Sequence, residues 1–195
     1  MRYTNEYKVQ ARANLVDAGG RHAKIHGFGS SGMADLAAAA GVTTGSLYKH
    51  FSGKSDLFVA MITAELKRTA DMYGAVDAAN PVEVSRALAG YLSLSHVQHP
   101  EMGCPLPSLT PEIARSDDAV RLAFEQGVQT IHANVSALTG NSETAWVVMA
   151  QNVGAVMLAR AMRSEATQRE LLNAVRDAGE DLIRSDKPTQ MAGRS

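Results

Sequence analysis

Three observations predict an all-α chain from this sequence of 195 residues. It contains 31 alanines, the residue with the best helix propensity. Its prolines stand only at Pro81, Pro100, Pro105, Pro107, Pro111 and Pro188, which leaves residues 1–80 and 112–187 free of them. No segment alternates apolar and polar residues with the period of two that a half-buried strand requires.

Caps and breakers place the elements in order. A first helix is predicted over about Asn5–His26, ending before Gly27. The Gly19-Gly20 pair inside it reads as a weak point of about 1 kcal/mol per glycine against alanine. Short helices follow over Met33–Ala40, stopped by Gly41, and Thr44–His50, stopped by Ser52-Gly53. A longer one spans Lys54–Tyr73. Asn80-Pro81 opens a helix reaching roughly His99, and His99–Pro111 is read as a bent, proline-rich connection. Thr110-Pro111-Glu112 looks like a helix start. Ser116 or Asp117 opens a helix to Gly140, Ser142 caps one to about Arg163, and Glu165–Ser185 is the last before a frayed tail.

Hydrophobic residues make up 45% and charged residues 20%, so a packed core is expected rather than disorder. The net charge of -1 conceals an asymmetry. Residues 1–70 carry nine Lys/Arg against five Asp/Glu, and the remainder ten against fifteen. A basic head on an acidic body matters because attraction to phosphate depends on local field. One cysteine, Cys104, excludes an internal disulfide. Arg2–Arg12 lacks the apolar stretch of a signal peptide. The uncharged run Thr144–Ala159 is shorter than the ~20 residues a membrane span needs and contains Gln151 and Asn152. A soluble cytoplasmic protein with no membrane partner is expected.

Within Gly32–Phe51, GMADLAAAAGVTTGSLYKHF, two short helices meet at Gly41, where glycine permits the positive φ of a sharp turn. Leu36, Ala37, Ala40 and Val42 are placed where the helices touch, and Leu47 and Phe51, four apart, share the inner face of the second. Thr43, Thr44, Ser46 and Lys49 are then left outward. Short or basic side chains on such a face can approach base edges and phosphates in a major groove. Tyr48, Lys49, His50 and Lys54 are donors suited to phosphate oxygens. By themselves, an alanine-rich helix pair and a glycine turn also describe a plain αα-hairpin. Tyr48 could equally be a half-buried core residue, and His50 a cation at a helix C-terminus.

The run Ala37-x-x-Ala40-Gly41-Val42-Thr43-x-Gly45-x-Leu47-Tyr48-x-His50-Phe51-x-x-Lys54-x-x-Leu57 resembles the DNA-binding signature of the tetracycline-repressor (TetR) family of transcription regulators. The resemblance implies an N-terminal three-helix helix-turn-helix DNA-binding domain over residues 4–64. A helical effector-binding and dimerisation domain over 65–187 and a flexible tail over 188–195 would follow. It implies a homodimer on a palindromic double-stranded DNA operator, released by a small-molecule effector. Ser31, Thr43, Thr44, Gly45, Ser46, Tyr48, Lys49, His50 and Lys54 are the expected DNA-binding residues. Gly32 stands where such proteins often carry Thr or Ser, so the second helix is expected to be capped by Ser31.

In the last helix Leu171, Val175, Ala178 and Leu182 form a coiled-coil-like seam widened by Leu172 and Ile183. The preceding helix repeats the pattern at Trp146, Met149/Ala150, Val153 and Val156/Met157. Two such helices from each subunit would make a four-helix dimer bundle. The alternative is that the stripes face the chain's own core. Cys104 is the candidate sensor. If Pro105 opens a helix, Cys104 occupies its N-cap, where the helix dipole favours a reactive thiolate. A Gly-Cys pair in this region also resembles some redox- and electrophile-sensing members of the family. A buried inert cysteine is the competing reading.

His22/His26 and His96/His99 could each pair on a metal, but neither has a clear third ligand apart from Cys104 beside the second, so no metal and no cofactor are expected. The methionines and Tyr91, Leu92, Leu94, Phe124, Ile131 and Trp146 are candidate linings of an apolar effector pocket, with plain core as the alternative. A Cys104-dependent thiol enzyme lacks an identifiable base, phosphate loop or metal motif, so the chain is expected not to be an enzyme. A ligand-binding helical dimer without DNA affinity is the remaining alternative to a repressor.

Overall fold

The computed structural model describes residues 5–186, and the tail over 188–195 lies outside the described residues. Among the described residues ten α-helices follow one another: α1 Asn5–His26, α2 Met33–Ala39, α3 Thr44–Leu47, α4 Lys54–Gly74, α5 Pro81–Tyr91, α6 Leu94–Gln98, α7 Leu106–Ile113, α8 Asp118–Thr139, α9 Ser142–Ala161 and α10 Glu165–Asp186. A single 3-10 turn at Pro100–Met102 precedes α7. No strand occurs among the described residues.

Three helices end on glycines in the left-handed region, Gly27 (φ 82°), Gly41 (φ 68°) and Gly140 (φ 77°), as a helix C-terminus favours. Start signals also hold. Asp117 Oδ1 accepts from Val120 N at the head of α8, and Asn141 Oδ1 accepts from Glu143 N and Thr144 N at the head of α9.

Four expectations are corrected. The helix opened by Pro81 stops at Tyr91 and restarts at Leu94. Pro111 does not begin a helix but lies inside α7. That short helix buries Leu106, Leu109 and Ile113 along one face, and this burial offsets the amide hydrogen bond that proline lacks. Cys104 is not an N-cap, because Pro105 occupies that place. The cap of α2 is Gly32, whose N–H donates to Asp35 Oδ2 at 2.7 Å, while Ser31 turns its hydroxyl back to Gly27 O.

The chain divides into two compact units. The first joins the residues up to Ala70 with His99–Thr130; the second joins Asp71–Gln98 with the residues from Ile131 onward. The first unit is thus larger than the N-terminal domain read from the sequence. Its interior is built on Leu36, Leu47, Phe51, Met61, Ile62 and Leu66, all essentially inaccessible. Here Gly19 and Gly20 are contact points rather than weak points. A Cβ on Gly19 would stand 3.1 Å from Met61 Sδ, and one on Gly20 2.6 Å from Glu65 Oε1, so α1 can approach α4 only without side chains there. Gly127 plays the same part for α8, where a Cβ would meet Leu66 at 2.5 Å.

The second unit has Val135, Val148, Val156, Leu172 and Ile183 inside. Arg160 reaches from α9 to His96 O at 2.8 Å, and Ser85 donates to Glu180 Oε1 at 2.7 Å.

Candidate nucleic-acid interface

The segment from Thr43 to Phe51 is hydrogen-bonded throughout. Leu47 N and Tyr48 N reach back to Thr43 O and Thr44 O, and Lys49, His50 and Phe51 continue onto Ser46 O and Leu47 O. Thr43 is the N-cap of α3, its hydroxyl oxygen accepting from Ser46 N at 3.2 Å. Leu47 and Phe51 anchor the segment from inside, each 1% exposed. Leu36 and Ala37 of α2 are buried to the same degree, so the pair packs as its pattern predicts.

What remains outward is a small polar face. Thr43, Gly45, Tyr48 and Lys49 are exposed, Tyr48 at 54%, and a Cβ on Gly45 would touch nothing within 4 Å. A bare glycine beside short hydroxyl side chains lets another molecule come close to the backbone. Thr44, Ser46 and His50 are half-buried at its edge, His50 lying against Phe51 with ring centroids 6.5 Å apart.

Two predicted contact residues are engaged elsewhere. Ser31 is only 4% exposed and donates to Gly27 O. Lys54 donates to Gly29 O at 3.1 Å and lies 4.9 Å from the centre of the Phe28 ring. Both brace the turn between α1 and α2. The face that combines exposure with suitable chemistry is therefore Thr43, Gly45, Tyr48 and Lys49, with Thr44, Ser46 and His50 beside it.

The bracing residues on the far side of that turn are not apparent in the sequence. Glu112, on α7, accepts from both Phe28 N and Gly29 N. Lys24 and Glu65 form an ion pair of 2.8 Å with side chains 1% and 2% exposed, and Lys24 Nζ also donates to Gly103 O at 2.9 Å. Arg68 approaches the other Glu65 oxygen at 3.3 Å. The visible signal for this pair was Gly20, which makes room for the Glu65 carboxylate.

Cys104, the candidate sensor, is buried, 7% exposed, next to Gly103 and in no disulfide. His22 and His26 have ring centroids 4.5 Å apart. No group of three or more potential metal ligands occurs among the described residues. No helix among those residues is long and apolar enough to cross a membrane. In the second unit a small cleft is lined by Tyr73, Val84, Val135, Val148, Met149 and Asn152, among others, so that of the predicted linings it takes Met149, while Phe124 borders an open groove in the first unit. Asn152 is 3% exposed and its Nδ2 has no hydrogen-bond partner.

Comparison with known proteins agrees with this geometry. Residues 15–61 match the model of bacterial regulatory proteins of the tetR family. The chain is 36% identical over 62 residues to the HTH-type transcriptional regulator TtgR of Pseudomonas putida, covering 32% of this chain and 30% of that protein. It is 39% identical over 57 residues to the HTH-type transcriptional regulator AcrR of Shigella flexneri, covering 29% and 26%. The matched segment thus spans about a third of the length of these curated relatives at most. Among solved structures, the reduced form of NemR from E. coli superposes with a TM-score of 0.69 at 21% identity, over 88% of this chain and 96% of that one. A TetR-family regulator from Cytophaga hutchinsonii gives 0.72 at 19% identity, over 95% and 98%. The N-terminal segment is of the TetR type in sequence, and the whole described chain has the fold of TetR-family regulators.

Proposed function

We propose that this TetR-type chain is a transcription regulator, not an enzyme, that binds a palindromic operator as a homodimer and acts as a repressor in the cytoplasm. The observation that carries the reading is the outward face of Thr43, Gly45, Tyr48 and Lys49 on a segment pinned from within by Leu47 and Phe51. Tyr48 and Lys49 suit phosphates, while Thr43, Thr44 and Ser46 with Gly45 suit base edges. Ser31 and Lys54 hold the turn that presents this face. Two copies must present it at successive major grooves, roughly 34–36 Å apart or a multiple.

Salt titration of duplex binding tests the reading, using a duplex selected from a random pool by the wild-type protein. Affinity should fall steeply with salt as counterions are released. Lys49→Ala should weaken binding to all sequences and reduce the slope of log K against log salt by about one. An unchanged slope removes Lys49 from the contacts.

The homodimer reading rests on α9 and α10. Trp146, Val147 and Leu158 are 45%, 49% and 57% exposed on α9, and Leu171, Val175 and Leu182 are half-buried on α10. An apolar surface of this kind is ordinarily covered by a partner.

For the effector, the cleft at Asn152 offers apolar walls and one orphaned donor. It admits about one water molecule as it stands. A small molecule would enter by widening it, and so would favour a state other than this one, which is the differential affinity that release from DNA requires. Modification of Cys104 is the second route to release, supported by the hydrogen bond from Lys24 of α1 to the carbonyl of the adjoining Gly103.

A further inference from the structure

The turn between α1 and α2 determines where the DNA-facing pair stands relative to the helix before it, and its own hydrogen bonds, Ser31 Oγ to Gly27 O and Ser31 N to Phe28 O, leave Phe28 N and Gly29 N to be satisfied from outside the turn. Past the last helical bond, Gly27 N to Ala23 O at 2.8 Å, the chain enters the left-handed region at Gly27. The next two amides, Phe28 N and Gly29 N, both converge on one oxygen, Glu112 Oε2, at 2.8 and 2.7 Å. Successive main-chain amides around a left-handed glycine make a concave anion site, and here the anion is the chain's own carboxylate. The fit is close. A Cβ on Gly27 would stand 2.6 Å from Glu112 Oε1, so glycine is required there for space as well as for its φ.

The other side of the turn is held by α4. Lys54 donates to Gly29 O, and the Phe28 ring stacks on Phe58 with centroids 3.9 Å apart. Four residues before the clamp, Lys24 joins Gly103 O. The segment from Gly103 to Glu112 therefore grips the end of α1 and the following turn at two separate points, both through hydrogen bonds.

We propose that Glu112 is the positioning residue of the DNA-binding pair: its carboxylate sets the α1–α2 turn, so that displacement of α7 is delivered to α2 and α3. The proposal rests on the regulator reading above but names a residue and a route that the reading does not contain. Glu112 touches no DNA. It acts through Phe28 and Gly29, and its loss should change the presentation of the contact face and leave the contacts themselves intact.

The test uses the full chain as wild type, Glu112→Gln and Glu112→Ala. Residue-resolved amide hydrogen exchange should show Phe28 and Gly29 at least tenfold faster in Glu112→Ala, with Leu47 and Tyr48 unchanged. On a duplex selected by the wild type, Glu112→Ala should bind at least tenfold more weakly with the same salt slope, whereas Lys49→Ala lowers the slope. Glu112→Gln, which keeps an acceptor oxygen without the charge, should fall between. That graded rescue separates positioning from a general loss of folding, which thermal unfolding of each variant monitors.

Unchanged exchange at Phe28 and Gly29 in Glu112→Ala overturns the clamp. Altered exchange with affinity within twofold of wild type overturns the positioning role. If the wild type binds no duplex, the regulator reading fails and the positioning role with it. The exchange data would still show whether the clamp holds the turn.

Discussion

The two units depart from ordinary burial in opposite directions. The first hides charge: Lys24 and Glu65 lie side by side in its interior, almost wholly inaccessible. The second shows grease: α9 presents Trp146, Val147 and Leu158 outward. Each departure needs a compensating partner, and the partner differs. The buried ions find their partners within the chain: Lys24 bonds Glu65 Oε2 and Gly103 O, while Glu65 Oε1 accepts no hydrogen bond and has only the approach of Arg68 at 3.3 Å. The exposed side chains of α9 await a partner that the dimer reading supplies as a second copy. A buried pair ties α1 to α4 in one arrangement, whereas an apolar face ties nothing until it is covered.

The largest effect should come from breaking the buried pair. Lys24→Met leaves Glu65 buried without its closest cation, and loss of one partner from such a pair typically costs about 3–5 kcal/mol. Urea unfolding at neutral pH measures it. Lys24→Met combined with Glu65→Met should recover much of the loss, because two apolar side chains remove both desolvation penalties. If the double variant is no more stable than the single, the pair is not the closed unit that the comparison with α9 assumes.

The exposed face is broken differently. Val147→Glu with Leu158→Glu should convert a dimer to single chains in sedimentation equilibrium, weakening association by at least about a hundredfold, since charges buried without partners at an interface are costly. Both side chains are about half exposed in the single chain. Its own stability should therefore change by no more than about 0.5 kcal/mol. A dimer that survives both changes would mean that another surface associates, and the contrast between the units would lose its second half.

The same contrast explains which features could be read from residue order. Helix ends at Gly27, Gly41 and Gly140 were visible because a left-handed residue selects glycine locally. Leu36, Leu47 and Phe51 were visible because one buried face repeats at helical spacing. Subtraction places Thr43, Thr44, Ser46 and Lys49 outward; Thr43 and Lys49 are exposed, Thr44 and Ser46 are half-buried, and Gly45 and Tyr48 join the exposed face. Features joined across long stretches of chain were not visible. In the sequence Glu112 reads only as part of the helix start Thr110-Pro111-Glu112, and nothing marks Lys24; the fold brings Glu112 to Phe28 N and Gly29 N, and Lys24 to Glu65. Helix propensity captures what Gly19 and Gly20 cost a single helix and not the close approach they permit between two. Lys54 and Ser31, expected at DNA from the family resemblance, also carry hydrogen bonds within the α1–α2 turn, which residue order does not reveal.

The smallest expected effect tests whether charge in the first unit matters only where it is hidden. Asp117 is exposed at the head of α8, yet its pKa lies below the ordinary 3.8, first because Ser55 donates to its carboxylate and then because Val120 N does. A carboxyl group whose folded pKa is depressed adds stability above its unfolded pKa and loses it as pH falls through the folded value. The contribution should thus be fully present at neutral pH and fade below about pH 4. Asp117→Asn keeps one oxygen to accept from Val120 N, turns an amide NH2 toward the Ser55 hydroxyl, and cannot titrate. In urea unfolding, the variant should be slightly less stable than wild type at neutral pH and should converge with it in acid. Lys24→Met should instead differ from wild type by several kcal/mol at neutral pH, about 3–5. A constant gap for Asp117→Asn at all pH values would mean that hydrogen-bond geometry, not the carboxylate charge, stabilises the start of α8, and that in this unit charge contributes only when enclosed.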